Sequence, residues 1–307
     1  MVRDRHRAVD RVGGGGSASL VSLDGAGTAK VQQAVVDALS TTQVPSNLAP
    51  ALAEAESDQP ASTRDGCHLD YLQTEQPPCI YGDPGGARTV VLFGDSHAQQ
   101  WLPALDAAAK TAGWRVVGWT KAACSIADVT ITNDALHREF TECTTWRQQR
   151  IDAIVEMHPD AVVLSQSDSV PGTQLTNGDW ADQTVVTARK LVAAGIETTY
   201  VLDTPYPGTP AAECLADNLD DVGACSLDAN HAYPYSGRRE QLAETLSGAG
   251  VPVLDTNDWF CTTTQCPTVV GSILVYRDAS HMSATYAAWL APLLAPLLER
   301  EAGGGSP

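Results

Sequence analysis

Two short motifs, far apart in the chain, carry residue types that together can attack an ester. GDSH at 94–97 places a serine directly after an apolar run, and DASH at 278–281 places an aspartate three residues before a histidine. That spacing lets Asp278 accept a hydrogen bond from one ring nitrogen of His281, which leaves the other nitrogen to deprotonate a serine. We therefore expect Ser96 to be a nucleophile, His281 its general base and acid, and Asp278 the partner that orients the imidazole.

Each motif alone has a simpler structural interpretation. Asp and Ser are common N-caps of helices, and glycine is common in turns, so GDSH is also what a strand-to-helix turn requires. Asp278 is likewise a suitable N-cap for the last predicted helix, with His281 incidental. The combination of a serine at a strand end with D-x-x-H before a terminal helix is much more specific than either motif by itself.

The pattern between residues 88 and 300 predicts the scaffold that would bring the motifs together. Continuous apolar, β-branched runs are typical of parallel strands covered on both faces, and they occur at 89–93, 114–119, 161–165, 197–203 and 251–255. Helices are predicted at 97–111, 142–157, 182–194, 236–248 and 283–299. We expect an α/β fold, a three-layer α/β/α sandwich with a mainly parallel five-stranded sheet. Ser96 would lie at the carboxyl edge of that sheet, where open α/β sheets bind ligands.

The eight cysteines form four close couples. They are Cys67 and Cys79, Cys124 and Cys143, Cys214 and Cys225, and Cys261 and Cys266. Eight cysteines allow about a hundred pairings, so pairing within each couple is an interpretation, with buried free thiols or a zinc site as alternatives. No C-x-x-C occurs, and neither the cysteines nor the histidines show metal-ligand spacing, so we expect no metal and no cofactor. We favour disulfides, which place the chain outside the cytoplasm.

Composition excludes some functions. The chain has 307 residues, 43% of them hydrophobic, and a formal net charge of -18. Such an acidic protein repels phosphate backbones and anionic lipids, so we expect no nucleic-acid partner. We expect a linker or tether with a possible helix at 1–64, a catalytic domain at 65–300 and a flexible tail at 301–307. Within the first segment, the part from residue 31 is expected to be either a connector or a helix lying on the domain. Because no apolar export signal or membrane span is visible, the chain resembles a domain taken from a membrane protein, or one without its signal.

Several stretches resemble one known family. GDSH and DASH look like the first and last blocks of SGNH (GDSL-like) esterases and acyltransferases. VVLFGDSHAQQWLPAL, TKAACS, ECTTWR, TPYPGTPAAECLADN and LVYRDASHMSATYAAWLAP resemble, more narrowly, the SGNH domain fused to acyltransferase-3 membrane proteins, in its cysteine-rich actinobacterial form. The resemblance covers about residues 65–298 and includes the cysteine positions. It implies an SGNH hydrolase-like fold with flavodoxin-like strand order.

The resemblance also implies a reaction. An acyltransferase-3 membrane domain, fused or separate, would supply an acyl group, acetyl or another short acyl. The extracytoplasmic SGNH domain would pass it through an acyl-enzyme on Ser96 to a hydroxyl of a cell-envelope glycan. The same three residues would also support an esterase or deacetylase. A catalytically silent glycan-binding domain is the third hypothesis.

The family pattern departs at the oxyanion hole. The family uses a G-x-N-D block, whereas this chain has Ser-Gln-Ser-Asp at 165–168 after the third predicted strand. The backbone N–H of Ser96 is the first donor that we expect, with Gln166 or an N–H in the 120–124 loop as a second. Losing one donor costs about 3–4 kcal/mol of barrier, so a slow enzyme is one consequence.

Other side chains have open roles at this stage. His97 serves either the site or a cap, and Lys121 faces either the cleft or solvent. Tyr276 and Trp259 are candidates for stacking on a sugar, and the expected core aromatics are Trp101, Trp114 and Trp146.

Overall fold

The computed structural model describes residues 26–169 and 175–299. In chain order its strands are β1 (His68–Leu69), β2 (Ile80–Gly82), β3 (Arg88–Gly94), β4 (Trp114–Lys121), β5 (Thr132–Asn133), β6 (Arg138–Glu139), β7 (Ala161–Ser165), β8 (Glu197–Val201), β9 (Leu227–Asp228), β10 (Val253–Leu254), β11 (Gln265–Cys266), β12 (Val269–Val270) and β13 (Ile273–Leu274). Its α-helices are α1 (Ala26–Ala38), α2 (Ala61–Arg64), α3 (Ser96–Gln99), α4 (Leu102–Ala112), α5 (Thr141–Met157), α6 (Asn177–Ala193), α7 (Ala211–Asp217), α8 (Ser236–Gly248), α9 (Ala284–Trp289) and α10 (Ala291–Glu299).

A mainly parallel sheet forms the centre of the fold. Its strand order is β1-β4-β3-β7-β8-β10, and β2 pairs antiparallel with β4. The five predicted strands are therefore present as β4-β3-β7-β8-β10, which is the flavodoxin-like order. The sheet has seven strands rather than five, because the very short β1 and β2 add to the edge of β4.

Side chains from the sheet enter a separate hydrophobic core on each face. Val90 and Leu92 of β3 belong to the core that includes Trp101. Val91 and Phe93 of the same strand belong to the other core, which includes α5, α6 and α8. Because both faces of β3 are apolar and covered, its sequence is a continuous apolar run, and the three-layer prediction is confirmed.

Prolines divide two helices that we predicted as continuous. The predicted helix 97–111 is α3 followed by α4, and Pro103 lies in the first turn of α4. The predicted helix 283–299 is α9 followed by α10, with Pro292 at the corresponding place. A proline has no N–H to donate to the preceding turn, so the hydrogen-bond ladder is interrupted at each point.

Residues 26–64 pack on the domain and are not a free tether. Val31 and Val35 of α1 are buried in the first core. Farther along, Asp58 accepts the backbone N–H groups of Ala284 and Thr285 at the start of α9, at 3.1 and 2.9 Å. Of the alternatives given for the segment from residue 31, a helix lying on the domain is the one that fits α1; residues 1–25 and 300–307 lie outside the described part of the chain.

All four cysteine couples are joined as disulfides. They are Cys67–Cys79, Cys124–Cys143, Cys214–Cys225 and Cys261–Cys266, and no free cysteine is present. Within the described ranges, no helix is both long and apolar enough to cross a membrane.

Candidate active site

The serine lies at the carboxyl end of β3. Gly94 ends the strand, and a Cβ at this position would stand 1.9 Å from the carbonyl oxygen of Ser165, so only glycine fits between β3 and β7. Asp95 caps α3 by accepting from the N–H of His97 at 2.8 Å, and its other carboxylate oxygen accepts from the N–H of Ser167 at 2.9 Å. The turn that presents Ser96 is thereby tied to the end of the neighbouring strand.

The structure brings the three residues expected from the sequence into one hydrogen-bonded line. Ser96 Oγ lies 3.0 Å from Nε2 of His281, and Nδ1 of His281 lies 3.0 and 2.9 Å from the two carboxylate oxygens of Asp278. The backbone N–H of His281 also donates to Asp278, at 2.8 Å. This is the geometry in which a carboxylate orients an imidazole toward a serine hydroxyl.

A second tie fixes the DASH loop relative to the serine. Gln100, at the C-terminal end of α3, accepts the backbone N–H of Met282 at 2.9 Å through its side-chain oxygen. The same side chain contacts Thr204 at 3.2 Å. The position of His281 is therefore set from the helix that carries Ser96.

Asp278 is held as a carboxylate. Its burial alone would raise its pKa, but the hydrogen bond from His281 and the charge of Arg277 outweigh burial and lower the pKa below its usual range. Arg277 Nη1 lies 3.0 Å from Asp278 Oδ2. Asp278 is thus charged across the physiological range and remains a hydrogen-bond acceptor.

His281 is held in its neutral form near pH 7. Burial is the main cause that lowers its pKa; the hydrogen bond with Asp278 opposes it, and the nearby charge of His97 adds to it. A neutral imidazole whose Nδ1–H points at a carboxylate has a free lone pair on Nε2. That lone pair faces the Ser96 hydroxyl, as a general base requires.

His97 forms a second histidine–carboxylate pair that we did not predict. Its Nδ1 lies 2.6 Å from Asp203 Oδ1, and both side chains are buried. Asp203 also accepts a short hydrogen bond from the hydroxyl of Tyr206 and one from the N–H of Asp168 at 2.8 Å. Of the two roles left open for His97, a place beside the site is the one observed, because its ring lies 4.7 Å from that of His281.

A cleft of about 490 Å³ opens above Ser96 and His281. One part of its wall comes from the 131–135 segment, and another from residues that follow β7 and β8. Ser167, Ser169 and Tyr206 contribute hydroxyl groups to its lining, and Tyr71 adds a second aromatic ring. Tyr71 and Tyr206 were missed in the sequence, although Tyr206 follows a predicted strand at the same edge as Ser96.

Gln166 does not supply an oxyanion donor in this structure. Its Nε2 donates to Thr184 Oγ1 at 3.0 Å, and its Oε1 accepts from the N–H of Ile126 at 2.9 Å and from the Ser125 hydroxyl. The side chain is fully buried. Gln166 therefore links the end of β7 to the turn at 125–126. The expectation that Gln166 supplies the second oxyanion donor was wrong.

The 120–124 loop does reach the cleft. Ala123 lines it, with a φ of 50°, in the left-handed region that favours glycine. Among the described residues, no group accepts a hydrogen bond from its backbone N–H. Ser167, the third residue of the 165–168 block, also lines the cleft.

Three further sequence expectations are decided by burial. Tyr276 and Trp259 are in the core, so neither is a stacking platform for a sugar.

Lys121 is fully buried and faces neither cleft nor solvent, because its Nζ donates to the backbone carbonyls of Asp70, Tyr71 and Gln73 at 2.6, 2.9 and 2.6 Å. The expected core residues Trp101, Trp114 and Trp146 are buried. The described residues contain no cluster that could hold a metal ion.

Comparison with known families gives one match. The family model for the SGNH domain fused to AT3 domains matches residues 66–296, about three quarters of the chain. No curated protein matches the chain.

One of the similar solved structures supports the same fold. The periplasmic domain of a lipopolysaccharide acetyltransferase from Salmonella ser. Paratyphi A aligns with a TM-score of 0.60 at 16% identity, covering 78% of this chain and 88% of that domain. A GDSL-like lipase from Bacteroides thetaiotaomicron aligns at 0.45 and 12% identity, covering 69% and 88%. An acetyl xylan esterase aligns at 0.41 and 16% identity, covering 68% and 98%. At these identities, the first alignment supports the SGNH hydrolase-like fold, and the other two add no argument.

Proposed function

The chain belongs to the family of SGNH domains that are fused to AT3 domains, and we propose that it transfers a short acyl group to a hydroxyl of a cell-envelope glycan through an acyl-enzyme on Ser96. The observation that carries the proposal is the hydrogen-bonded line from Ser96 through His281 to Asp278. It lies in a cleft at the carboxyl edge of the sheet, where a substrate can reach the serine.

The first half of the reaction acylates the serine. Ser96 Oγ attacks the carbonyl carbon of the acyl donor while its proton passes to Nε2 of His281. The tetrahedral intermediate then collapses, and the leaving group departs with that proton. Asp278 stays ionised throughout and stabilises the imidazolium that forms.

The second half moves the acyl group to the acceptor. A sugar hydroxyl attacks the ester carbonyl and gives its proton to Nε2 of His281. The proton returns to Ser96 Oγ as the acyl–serine bond breaks, so the enzyme is regenerated. If water takes the place of the sugar, the same steps give hydrolysis, which is the competing esterase function.

We assign the oxyanion donors to the backbone N–H groups of Ser96 and Ala123. Ser96 begins α3, and Ala123 lines the cleft in a backbone conformation suited to a close approach. Ser167 is the third residue of the block where the family carries asparagine, and its hydroxyl already bonds to the backbone oxygen of Ser169 and to the Tyr206 hydroxyl. A weaker oxyanion hole predicts slow turnover relative to members with the asparagine.

Partners and location follow from the family and the disulfides. The family model describes fusion to AT3 domains, which supports an AT3 membrane domain as the acyl donor. Four disulfides favour an oxidising compartment, so we place the domain on the outer side of the cytoplasmic membrane. There the glycan acceptor would be within its reach.

The first experiment measures p-nitrophenyl acetate turnover by the wild-type protein and by Ser96→Ala. We expect the substitution to lower kcat by about 10⁴-fold or more, because the nucleophile and its proton path are both lost. Ser40→Ala is the matched control, since Ser40 is exposed and bonds only to its own helix end. A wild-type rate that survives in Ser96→Ala would rule out the nucleophile.

A second measurement separates transfer from hydrolysis. Cell-envelope oligosaccharides are added to the wild-type reaction, and acylated sugar is measured beside free acetate. Transfer predicts that acylated sugar forms at the expense of acetate. Acetate as the sole product, with every acceptor and with the AT3 domain present, would establish the esterase instead.

A further inference from the structure

The rings of His97 and His281 lie side by side, but their carboxylate partners differ. His97 is bound to the fully buried Asp203, whereas His281 is bound to Asp278, whose side chain is 28% exposed and also contacts Arg277. We propose that His97 and Asp203 hold a proton beside Ser96 permanently, and that this positive charge keeps His281 neutral and ready to accept the serine proton. The proposal rests on the proposed function for its catalytic meaning, and His97 and Asp203 act in it as positioning residues.

The hydrogen bonds around Asp203 show that it is ionised. Its two oxygens accept from His97, from the hydroxyl of Tyr206, and from the N–H groups of Asp168 and Thr204. A carboxylate accepts hydrogen bonds at about four lone-pair positions. Donors occupy these positions on Asp203, so its oxygens carry no proton. Nδ1 of His97 must therefore carry its hydrogen toward this carboxylate.

The carboxyl groups that face His97 favour a proton on its second nitrogen as well. They are Asp203 from the end of β8, Asp95 from the turn before α3 and Asp168 from the end of β7. The neighbouring ring of His281, from the DASH loop, opposes that proton when it is itself protonated. Burial alone would lower the pKa of His97, but Asp203 and then Asp95 outweigh it and raise the pKa to about 9. Burial and then the proximity of Asp203 raise the pKa of Asp168, so Asp168 contributes less negative charge than Asp203. Asp203, which bonds directly to Nδ1 of His97, is therefore the main partner of the imidazolium.

Nε2 of His97 has no hydrogen-bond partner among the described residues, although His97 lines the cleft. The ring is instead held between aromatic neighbours, with Tyr206 stacked on it at 5.2 Å between ring centroids. Its ring is thus fixed in place beside Ser96.

His281 faces a different set of charges. They are Asp278 and Arg277 from its own loop, His97 from α3, and His68 from β1. Burial lowers the pKa of His68 to about 3, so His68 is neutral. Arg277 offsets part of the negative charge of Asp278, and two imidazolium rings 4.7 Å apart would repel each other. Of the two histidines, His97 is therefore the one that is protonated.

The test is a histidine titration by NMR on ¹⁵N-labelled wild-type protein, Asp203→Asn and His97→Gln. In the wild type we expect His97 to remain an imidazolium from pH 5 to 8 while His281 titrates below its usual value. Both substitutions remove the positive charge, so the pKa of His281 should rise by about one to two units, the size expected for a unit charge ~5 Å away in a partly buried site. The acid limb of the pH profile of kcat/KM should move to higher pH by the same amount.

Asp228→Asn is the matched control, because Asp228 forms an exposed pair with His231 outside the cleft. It should leave the titration of His281 unchanged. A neutral His97 at pH 7 in the wild type, or a folded Asp203→Asn protein whose His281 titrates as in the wild type, would overturn the proposal. His97→Gln provides the same test if Asp203→Asn does not fold. Since NMR reads the protonation directly, a chain without acyl-transfer activity would refute the proposed function and leave this measurement intact.

Discussion

At the scale of single residues, the site depends on which hydrogen bonds each side chain has already made. The convergence of Ser96, Asp278 and His281 could be predicted from the sequence, because the D-x-x-H spacing is local and the serine follows a strand directly. The positions of the Gln166, Tyr276 and Trp259 side chains could not be predicted, because the direction of each side chain is set by packing between distant elements. Lys121 shows the same limit, since its three carbonyl partners lie in a turn some 50 residues earlier.

Replacing Asp278 by Asn tests the role of the carboxylate at this scale. We expect kcat for p-nitrophenyl acetate to fall by about 10⁴-fold with the fold retained, because an amide no longer selects the imidazole tautomer that leaves Nε2 free. Asp258→Asn is the control, since Asp258 lies outside the cleft and contacts Gln32. Retention of more than a tenth of the wild-type kcat in Asp278→Asn would show that this carboxylate does not orient His281.

At the scale of elements, hydrophobic patterns predicted the five principal strands, and their order and layers are confirmed. The patterns did not predict β1 and β2, because two or three residues are too few to show a period. They also predicted α3 and α4 as one helix. Pro103 lies in the first turn of α4 and has no N–H to donate to the turn before it, so the hydrogen-bond ladder stops between the two helices. The hydrophobic pattern also did not predict the 131–135 segment that forms one wall of the cleft. This segment belongs to the β5–β6 hairpin, whose strands have only two residues each.

The Cys124–Cys143 disulfide brackets that hairpin, with a sequence separation of 19. Replacing both cysteines by alanine should lower the free energy of unfolding by about 3 kcal/mol, through greater entropy of the unfolded chain. It should also raise KM for acyl substrates, because one wall of the cleft loses its anchor. Urea unfolding and steady-state kinetics measure the two effects.

The control is the double alanine variant of Cys261–Cys266, which spans only 5 residues and does not line the cleft. It should lose less stability and keep its KM. Equal KM values in both variants would contradict a structural role of the hairpin in the cleft.

At the scale of the whole molecule, the segment before residue 65 belongs to the folded unit. Its composition left a tether, a connector and a helix lying on the domain open. In the structure α1 buries its apolar face on the domain, and Asp58 accepts the first backbone N–H groups of α9 next to the DASH loop. Composition alone could not show this, since the faces that receive α1 come from residues more than 200 positions later.

Two neighbouring valines in α1 test that conclusion. Val35 is 1% exposed and Val36 is 53% exposed. Val35→Ala should destabilise the whole domain by about 2 kcal/mol, from lost apolar burial and the cavity left behind, in a single thermal transition. Val36→Ala should stay within about 0.5 kcal/mol of the wild type. If calorimetry shows no difference between the two variants, α1 does not contribute to the folded domain.

The contact between Ser96 and His281 joins residues that are 185 positions apart. A ribosome adds about 5–20 residues each second, so Ser96, the proposed nucleophile, is made roughly 10–40 s before His281, its proposed base. Under the proposed function, competence to react is therefore gained late in biosynthesis, once the chain has been synthesised nearly to its last helix. Unfinished chains would leave the acyl donor unused.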